Sequence, residues 1–412
     1  MLVLEFKAYG KQAQYQAIEE AIRTGQFIQN KCIRLWMDEP QTGKYDFSRY
    51  CKVLADEFPF AKALNSQARQ SSAERAWASI SRFYDNCRKK VPGKKRCDPA
   101  TTKVARERAP RQGYPKFKKF SRSVEYKTTV WKLSDDTKWI NFTDKKGIGK
   151  LKLKGTWELW CYDQKLIKRV RLVRRADGYY VQFCVSVEVT EIIEPSGKTI
   201  GLDVGLKEFY TDSNGNTEPN PRFYRQGSQR IKFYQKRVSR KKKGTANRKK
   251  AINKLGRTHL KISRQRNEHA KRLARCVIKS NDLVAYEDLK VKNLVRNHCL
   301  AKSINDAGWY QFRKWLEYFG KKFGRVTVAV NPAYTSQNCS SCGEVVKKSL
   351  STRTHVCSCG CVLDRDHNAA INILERALGT TGHVGTWINN PNASGDLTTT
   401  IVDSGLSQQV GS

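Results

Sequence analysis

The sequence lacks the long hydrophobic runs from which membrane-spanning helices are built. No apolar stretch approaches the roughly 18 residues that such a helix requires. The opening segment, residues 1–7, has no apolar core of the kind found in a secretory signal peptide. No internal repeat with a period of about 20–50 residues is present, which argues against a solenoid or propeller. We therefore expect a soluble, cytoplasmic protein whose 412 residues form about two to four domains.

Acidic residues are also scarce relative to basic ones. The chain has 38 Asp and Glu residues against 78 Lys and Arg residues, which gives a formal net charge of +40. A charge of this size exceeds what solubility requires and indicates a polyanionic partner. No basic amphipathic helix or lipidation motif indicates binding to a membrane surface. We therefore expect a nucleic-acid partner and no membrane association.

The basic charge is densest in residues 225–275, which contain twenty Lys and Arg residues and one acid, Glu268. We expect two helices here, broken near Gly244, with Gly256 as a second candidate break. An exposed, solvated hairpin is the alternative interpretation, but it would leave strong repulsion between like charges, so we favour phosphate contacts. Six residues of this segment are selected as nucleic-acid contacts: Lys241, Lys242, Lys243, Arg248, Lys249 and Lys250.

Five of the thirteen cysteines lie close together between residues 339 and 361. They form two groups: Cys339 and Cys342, then Cys357, Cys359 and Cys361. Without a secretory signal we expect the cysteines to be reduced, which argues against disulfides. Four thiolates in two close pairs are typical of a tetrahedral structural zinc site. Spacing alone leaves Cys359 and Cys361 as alternatives for the fourth zinc ligand.

The N-terminal half combines helical and β-rich segments. Apolar residues recur with helical spacing over residues 11–37 and again over residues 66–88. Over residues 113–187, short strands separated by turns predict a small barrel or sandwich, which a strand at residues 1–6 would complete. Residues 89–110 are basic and contain Gly and Pro breakers, so we expect a loop there. Six aromatic side chains are expected in the barrel core, with base-stacking platforms as the less favoured alternative: Trp131, Trp139, Trp157, Trp160, Tyr179 and Tyr180.

Acidic residues lie at three apolar segments of the C-terminal half. Asp203 lies inside an apolar run that predicts the first strand of a β-hairpin. Glu287 and Asp288 end a second apolar strand, and Asp364 and Asp366 precede a helix. Three carboxylates of this kind are what a two-Mg²⁺ phosphodiesterase needs. Taken singly, each acid is also compatible with a turn or a helix N-cap, and alternation only weakly distinguishes the members of a pair.

These three segments resemble the RuvC motifs of TnpB proteins, a family of transposon-encoded RNA-guided nucleases related to compact type V CRISPR effectors. The motifs are Gly201-Leu202-Asp203-Val204-Gly205-Leu206, Tyr286-Glu287-Asp288-Leu289 and Asp364-Arg365-Asp366-His367-Asn368-Ala369-Ala370. Their order and spacing agree with the family, as do the intervening cysteines. The resemblance covers roughly residues 195–375, and residues 1–195 match more loosely.

The resemblance assigns the catalytic, Mg²⁺-binding role to Asp203, Glu287 and Asp366, and not to Asp288 or Asp364. It also favours Cys357 with Cys359 as the second zinc pair, so that Cys361 is spare. One sequence feature of the N-terminal half fits the family as well. Gln70 lies in a helical segment similar to the recognition helix, where a glutamine helps to read the motif flanking the target, and glutamine suits adenine edges.

The fold implied by the resemblance is multidomain α+β, with an RNase H-like (RuvC) α/β domain that contains an inserted zinc-binding module. An N-terminal wedge β-barrel, interrupted by a helical recognition domain, completes it. The implied boundaries are 1–8 and 112–195 for the wedge-like barrel, 9–111 for the recognition domain, 196–338 and 362–378 for RuvC, 339–361 for the zinc module, and 379–412 for a flexible tail. The tail is rich in Gly, Ser, Thr and Asn, a composition that cannot bury a core.

The implied activity is that of an RNA-guided, Mg²⁺-dependent endodeoxyribonuclease that hydrolyses phosphodiester bonds next to a short flanking motif. It would use two Mg²⁺ ions and one structural Zn²⁺, with a guide noncoding RNA and target double-stranded DNA as partners. We expect a monomer bound to RNA, located in the prokaryotic cytoplasm near the nucleoid. Two alternatives are a guide-RNA-directed DNA-binding protein without cleavage and an RNA-independent nuclease of resolvase or transposase type. All three acids are present, which argues against the first, and neither alternative accounts for a barrel with a helical insert.

Overall fold

The computed structural model describes residues 2–90, 113–127, 129–186, 191, 193–349 and 352–381. The chain divides into two compact units, Met1–Glu188 and Val189–Ser412. The loop predicted at residues 89–110 lies outside the described residues from position 91 onward, and so does the predicted tail from position 382. No helix of the described residues is both long and apolar enough to cross a membrane.

The first unit contains a seven-stranded sheet in which all neighbouring strands are antiparallel. Its strands are β1 (Leu2–Tyr9), β2 (Ser123–Lys127), β3 (Trp131–Leu133), β4 (Trp139–Phe142), β5 (Gly149–Lys154), β6 (Ile167–Arg175) and β7 (Gly178–Val185), in the order β2-β6-β7-β1-β5-β4-β3. The N-terminal strand β1 joins the sheet as predicted. The predicted closed barrel is wrong for the described residues, because no pairing joins the edge strands β2 and β3.

Within the described residues of the first unit, four α-helices follow β1: α1 (Gln12–Asp38), α2 (Lys44–Glu57), α3 (Pro59–Lys62) and α4 (Ser66–Arg88). The two segments with helical spacing are confirmed as α1 and α4, whereas α2 and α3 were not predicted. Apolar residues of α1 and α4, such as Ile18 and Ile80, are fully buried in one core with sheet residues such as Phe183. The helices therefore cover one face of the sheet.

The predicted aromatic core is only partly correct. Trp131 and Tyr180 are buried. Trp157 and Trp160 are 71% and 68% exposed, because they lie on a short 3₁₀ helix, Thr156–Cys161, at the edge of the unit. Their expected place in the core is therefore wrong. Trp139 and Tyr179 are half-buried.

The second unit is built on a mixed five-stranded sheet. Its strands are β8 (Thr199–Val204), β9 (Glu208–Asp212), β10 (Thr217–Pro219), β11 (Leu283–Glu287) and β12 (Val326–Val330), in the order β10-β9-β8-β11-β12. Strands β8, β11 and β12 are parallel, and β8-β9-β10 is an antiparallel meander, which confirms the hairpin predicted after Asp203. A separate hairpin consists of β13 (Thr354–Val356) and β14 (Val362–Asp364).

In the part of this unit that the structure describes, six α-helices accompany these strands: α5 (Phe223–Ser239), α6 (Ala246–Ser280), α7 (Val291–Leu294), α8 (His298–Ala307), α9 (Trp309–Phe323) and α10 (Arg365–Thr381). The break near Gly244 is confirmed, with Gly244 in the left-handed region at φ 88°. A break at Gly256 is wrong, because α6 runs through it without interruption. Helix α10 extends to Thr381, beyond the boundary expected for the tail.

The two faces of this sheet carry different helices. Leu202 and Val284 pack on one face against α6 and α9, through residues such as Phe312. Leu283 and Ala285 point to the other face, where α10 packs with residues such as Ile373. The second unit is thus a three-layer α/β arrangement, and alternate residues of each strand face α10.

Candidate active site

Two of the predicted acids lie at the ends of neighbouring parallel strands. Leu202 of β8 pairs with Tyr286 of β11, so the next residues, Asp203 and Glu287, follow the last paired positions of the two strands. Strand alternation gives Asp203 the same orientation as Gly201, and it gives Glu287 the same orientation as Ala285. Both carboxylates therefore belong to the sheet face that α10 covers. Carboxyl ends of parallel strands are a common position for ligand sites.

Gly201 allows α10 to approach this face closely. A Cβ atom at Gly201 would lie 2.2 Å from the Ala370 carbonyl oxygen and 2.8 Å from the Leu374 nitrogen. A side chain of any size would therefore push α10 away from β8. The close approach brings the first turn of α10, which contains Asp366, to the end of β8 where Asp203 lies.

Asp364 and Asp366 have different contacts. The Asp364 carboxylate accepts hydrogen bonds from the backbone N–H groups of Asp366 at 2.8 Å and His367 at 3.4 Å, which is the geometry of a helix N-cap. Asp366 accepts from Arg353 at 3.1 Å and from Arg365 at 2.8 Å. Asp364 thus has a capping role, and Asp366 presents its carboxylate on the helix surface.

The pKa values of both acids at the strand ends are raised. Burial raises the pKa of Asp203 well above its ordinary value, and the charges of Glu287 and Asp366 raise it further, while Arg365 opposes the shift. Burial also raises the pKa of Glu287, whose Oε1 accepts a 2.5 Å hydrogen bond from Thr335. In the described residues, no three carboxylate oxygens lie within 4.8 Å of one another. The acidic side chains therefore lie in the same region of the structure, but their carboxylates do not converge on one position.

Asp288, the neighbour of Glu287, faces the opposite side of the sheet. Its carboxylate contacts Lys290 and also Arg313 of α9. Hydrogen bonds from Lys290 and then from Arg313 hold the pKa of Asp288 below its ordinary value. Asp288 is therefore engaged in ion pairs away from Asp203, as strand alternation requires.

The cysteines form a compact cluster beside the β13-β14 hairpin. The Cys339 and Cys359 sulfurs are 3.7 Å apart, and the Cys342 and Cys357 sulfurs are 3.6 Å apart. All four sulfurs lie within 4.8 Å of one another, which fits a tetrahedral metal site. Cys361 groups instead with Cys339 and the buried His355.

The sulfur of Cys339 is prepared for a metal by its surroundings. Burial alone would raise its pKa, but the backbone N–H groups of Cys342 and Ser341, with His355 and Cys359, lower it to about 5. A thiolate at neutral pH is the form that binds metals. Cys339 is therefore in the metal-binding form, whereas the pKa values of Cys342 and Cys359 are raised.

Two asparagines connect this cluster to the helix that carries Asp366. Asn368 is fully buried, accepts from the Ser340 N–H at 3.0 Å and donates to the Asn338 carbonyl at 2.8 Å. One turn later, Asn372 donates to the carbonyls of Thr335 and Asn338. The cysteine cluster is therefore tied to the first two turns of α10 and helps to fix where they lie.

The residues selected as nucleic-acid contacts differ in exposure. Gln70 is half-buried on α4. The five lysines are exposed in and after the turn between α5 and α6: Lys241, Lys242, Lys243, Lys249 and Lys250. Arg248 donates to the carbonyls of Val238 and Lys241, both at 2.7 Å, so its guanidinium closes the turn.

Several residues at the site were not found from the sequence. Thr335 had no sequence signal, because its contact with Glu287 depends on the path of a loop. Arg353 also had no sequence signal, since only the β13-β14 hairpin brings it to Asp366. Asn368 and Asn372 did have a signal: they are polar, four residues apart and lie on the apolar side of a helix, a spacing that marks a shared helix face.

Two family profiles match the part of the chain that contains these residues. The sequence profile of the OrfB_IS605 family, described as "Probable transposase", matches residues 182–298, and the profile of the Cas12f1-like TNB domain matches residues 309–373. The resemblance to the TnpB family is confirmed. The two matched ranges include Asp203, Glu287, Asp366 and the cysteine cluster.

Two relatives are named as candidate RNA-guided DNA endonucleases. A protein of Streptomyces pristinaespiralis is 39% identical over 202 residues, which cover 48% of this chain and 50% of the relative. InsQ of Escherichia coli (strain K12) is 29% identical over 226 residues, which cover 51% of this chain and 56% of InsQ. The chain therefore matches about half the length of these relatives.

The fold is similar to that of a solved nuclease complex. A cryo-EM structure of a Cas12f1–sgRNA–target DNA complex aligns with a TM-score of 0.52 and 16% identity, covering 88% of this chain and 83% of that chain. At this identity the similarity concerns the fold alone. It agrees with the mixed α/β, multidomain architecture of the described residues.

Proposed function

We propose that this protein is an RNA-guided DNA endonuclease whose active site consists of Asp203, Glu287 and Asp366 in a RuvC-type α/β domain. The observation that carries the proposal is the paired ending of β8 and β11, with α10 packed against Gly201 on the same face. This arrangement gathers three carboxylates from distant parts of the chain at one edge of the sheet. The names of the two relatives support the same activity.

The carboxylates fit divalent cations. Burial and the neighbouring acids raise the pKa of Asp203, which means that its charge lacks sufficient compensation from the protein. Carboxylate oxygens are the ligands that Mg²⁺ prefers. Asp203, Glu287 and Asp366 would together hold two Mg²⁺ ions. When bound, such ions activate the attacking water and neutralise the leaving 3′ oxygen of a phosphodiester.

The surrounding residues keep these carboxylates in position. Thr335 donates to Glu287 and fixes the orientation of its side chain. Asp364 caps α10 and so orients the turn that carries Asp366, while Arg353 and Arg365 hold the Asp366 carboxylate. No histidine is needed as a general base in this arrangement.

We assign one structural zinc ion to Cys339, Cys342, Cys357 and Cys359. Four sulfur ligands close a tetrahedral site, so such an ion stabilises the fold and performs no hydrolysis. Its function would be to fix the loop that Asn368 and Asn372 connect to α10. Cys361 would be spare.

The domain assignment follows from these roles. Residues 196–338 and 362–378 would form the RuvC domain around the module at residues 339–361. Residues 1–8 and 112–195 would correspond to the wedge region, here with an open sheet, and residues 9–111 to the recognition domain. In the latter, Gln70 would read the flanking motif of the target.

The proposed partners are a guide noncoding RNA and target double-stranded DNA, bound by a single protein chain. The net charge of +40 supports a polyanionic ligand of this size. The exposed lysines at the α5-α6 turn would contact the phosphate backbone of the guide–target duplex. Because lysine contacts to phosphate carry no sequence information, sequence choice would depend on base pairing.

The deciding experiment starts with the RNA that co-purifies with the full-length protein. That RNA is sequenced and then remade with a guide segment complementary to a chosen plasmid site, flanked by a randomised motif. Mg²⁺-dependent cutting at the chosen site, with RNA of one defined length, would establish guided cleavage. Guided binding without cutting would instead indicate a DNA-binding regulator, and cutting without any RNA would indicate a nuclease of resolvase type.

A further inference from the structure

A cleft with four basic side chains among its eight lining residues opens next to the hairpin that carries Asp203. It encloses about 250 Å³. Lys207 enters it from the β8-β9 turn, Arg222 and Arg225 from the start of α5, and Lys302 from α8. Four cationic side chains from three separate parts of the chain therefore surround one cavity.

These four cations have no carboxylate partner in the described part of the chain. Their side chains are exposed, and no ion pair involves any of them. Lys302 lies over the ring of Tyr224 at 5.4 Å, and Arg225 approaches the Ser303 hydroxyl at 3.5 Å. Neither contact neutralises the charge. Four positive groups around one cavity repel one another unless an anion binds between them.

The one acid in the cleft does not supply that negative charge to the cations. Asp306 is 8% exposed, and its two carboxylate oxygens accept from the backbone N–H groups of Tyr224 at 2.7 Å and Arg225 at 3.0 Å. Asp306 thus fixes the start of α5 against α8. The cleft is held in shape by this contact and remains cationic on its open side.

The backbone at Arg222 is strained into this arrangement. Arg222 has φ 49° and ψ 46°, a left-handed conformation that side chains other than glycine rarely adopt. Asn220 supports it by accepting from the Arg222 N–H at 3.2 Å and by donating to the Leu206 carbonyl at 3.2 Å. Strain of this kind persists where the surrounding structure requires it, and it occurs often at binding sites.

We propose that this cleft binds a phosphodiester group of the DNA strand that is cut, at a position near the cut bond but outside the acid cluster. The proposal rests on the proposed function and adds a second contact to it. Lys207 is four residues after Asp203, and four residues span at most about 14 Å when fully extended. A single DNA strand can therefore contact the cleft and the acids together. Arginine and lysine are the residues that bind phosphate in proteins.

Replacing single phosphates of the target by uncharged methylphosphonates tests this contact. The full-length protein with its guide RNA cuts a series of targets, each with one methylphosphonate near the cut site. For the wild type, we expect one position at which the substitution slows cleavage about tenfold, the effect of losing one charged hydrogen bond. In the double variant Lys302→Gln, Arg225→Gln, the same substitution should change the rate less than about twofold, because the partner is already absent.

The control removes the same charge elsewhere. Lys198→Gln, Lys321→Gln neutralises two exposed lysines, of which Lys198 precedes β8 at the end of the sheet opposite Asp203. It should keep the wild-type methylphosphonate profile. The charge-preserving variant Lys302→Arg should also keep it, and equal melting temperatures exclude misfolding as the cause. If the double variant and the methylphosphonate slow cleavage independently, so that their fold-losses multiply at every position, the proposal is overturned.

Two further outcomes are informative. One distinguishes free phosphate from DNA phosphate as the ligand of the cleft, and the other distinguishes failure of this proposal from failure of the proposed function. Inhibition of cleavage by inorganic phosphate in the wild type only, without a sensitive DNA position, would make the cleft a site for free phosphate and overturn the assignment. If no DNA is cut at all, the proposed function fails, and the cleft is tested by binding of a single-stranded oligodeoxynucleotide. The double variant should then reduce the salt slope by about 0.7 for each lost contact, and an unchanged slope would reject the cleft.

Discussion

Asp203 and Glu287 lie at the ends of two parallel strands whose last paired residues are Leu202 and Tyr286. This register gives both carboxylates the same face of the sheet and the same distance along the strands. If the register of β11 against β8 shifted by one residue, Asp288 would take the place of Glu287 beside Asp203. In the observed register, Asp288 faces Arg313 on the opposite side of the sheet. The register between β8 and β11 therefore determines that Glu287, and not Asp288, lies on the same face of the sheet as Asp203.

Gly201 should be essential for the packing of α10. Replacing Gly201 by alanine would place a Cβ 2.2 Å from the Ala370 carbonyl, a backbone atom that cannot move alone. We expect Gly201→Ala to lower the free energy of unfolding by about 3 kcal/mol or more, measured by urea denaturation. Gly379→Ala is the control on the same helix, since nothing lies within 4 Å of its Cβ, and it should stabilise by up to about 1 kcal/mol. Equal effects of the two substitutions would contradict the close contact.

The cysteine cluster should hold one zinc ion per chain. Cys359→Ser should lose the metal, because the Cys359 sulfur is one of the four that lie within 4.8 Å of one another. Cys361→Ser should keep it, since Cys361 lies outside that group of four and is close to Cys339 and His355 instead. Elemental analysis of both purified variants measures this directly. Metal retained in Cys359→Ser and lost in Cys361→Ser would transfer the fourth ligand to Cys361.

Much of this site could be predicted from the sequence, because the acids interrupt or end apolar strands and match motif order. The choice between Asp364 and Asp366 could not be derived from the chain, since it depends on where α10 begins. Asp364 caps the helix only because the first helical residue is Arg365. The register of β8 with β11 was also hidden, because it is set by packing between segments distant in sequence.

In the N-terminal unit, sequence patterns predicted local elements but not how these elements pack. The series of short strands within residues 113–187 was predicted, since alternation and turn residues are local. The exposure of Trp157 and Trp160 was not, because aromatic content alone does not distinguish a core strand from a 3₁₀ helix at an edge. Closure of the sheet likewise depends on whether the strands β2 and β3 pair, which no local pattern specifies.

The lysines at the α5-α6 turn should contact phosphates without reading bases. Replacing Lys241, Lys242 and Lys243 by glutamine should weaken binding to every programmed target about equally. It should also reduce the slope of log affinity against log salt by about 0.9 for each lost contact, for a duplex that behaves like B-form DNA. The triple arginine variant keeps the charge and should match the wild type. An unchanged slope in the glutamine variant would remove this turn from the interface.

Stability of the metal-free acid cluster should depend on pH. The pKa of Asp203 is raised above its ordinary value of 3.8, so the folded state holds a proton that the unfolded state releases. The free energy of unfolding should therefore fall as pH rises from about 3.8 towards the raised pKa, by up to about 1.4 kcal/mol per pH unit, and should level off above it. The difference between wild type and Asp203→Asn, measured by urea denaturation without Mg²⁺, isolates this effect from the cysteines. A difference that does not vary with pH would contradict it.

Cleavage by three isosteric variants tests the central claim most directly. Asp366→Asn and Asp364→Asn each remove one negative charge from the same turn, and asparagine preserves the helix cap at position 364. Guided cleavage rates are measured under single-turnover conditions, with Asp203→Asn as the reference for an inactive site and RNA binding measured alongside. The account predicts that Asp203→Asn and Asp366→Asn lose more than about 100-fold in rate with RNA binding intact, while Asp364→Asn remains active. Full activity in Asp366→Asn together with loss in Asp364→Asn would contradict the assignment of the active site.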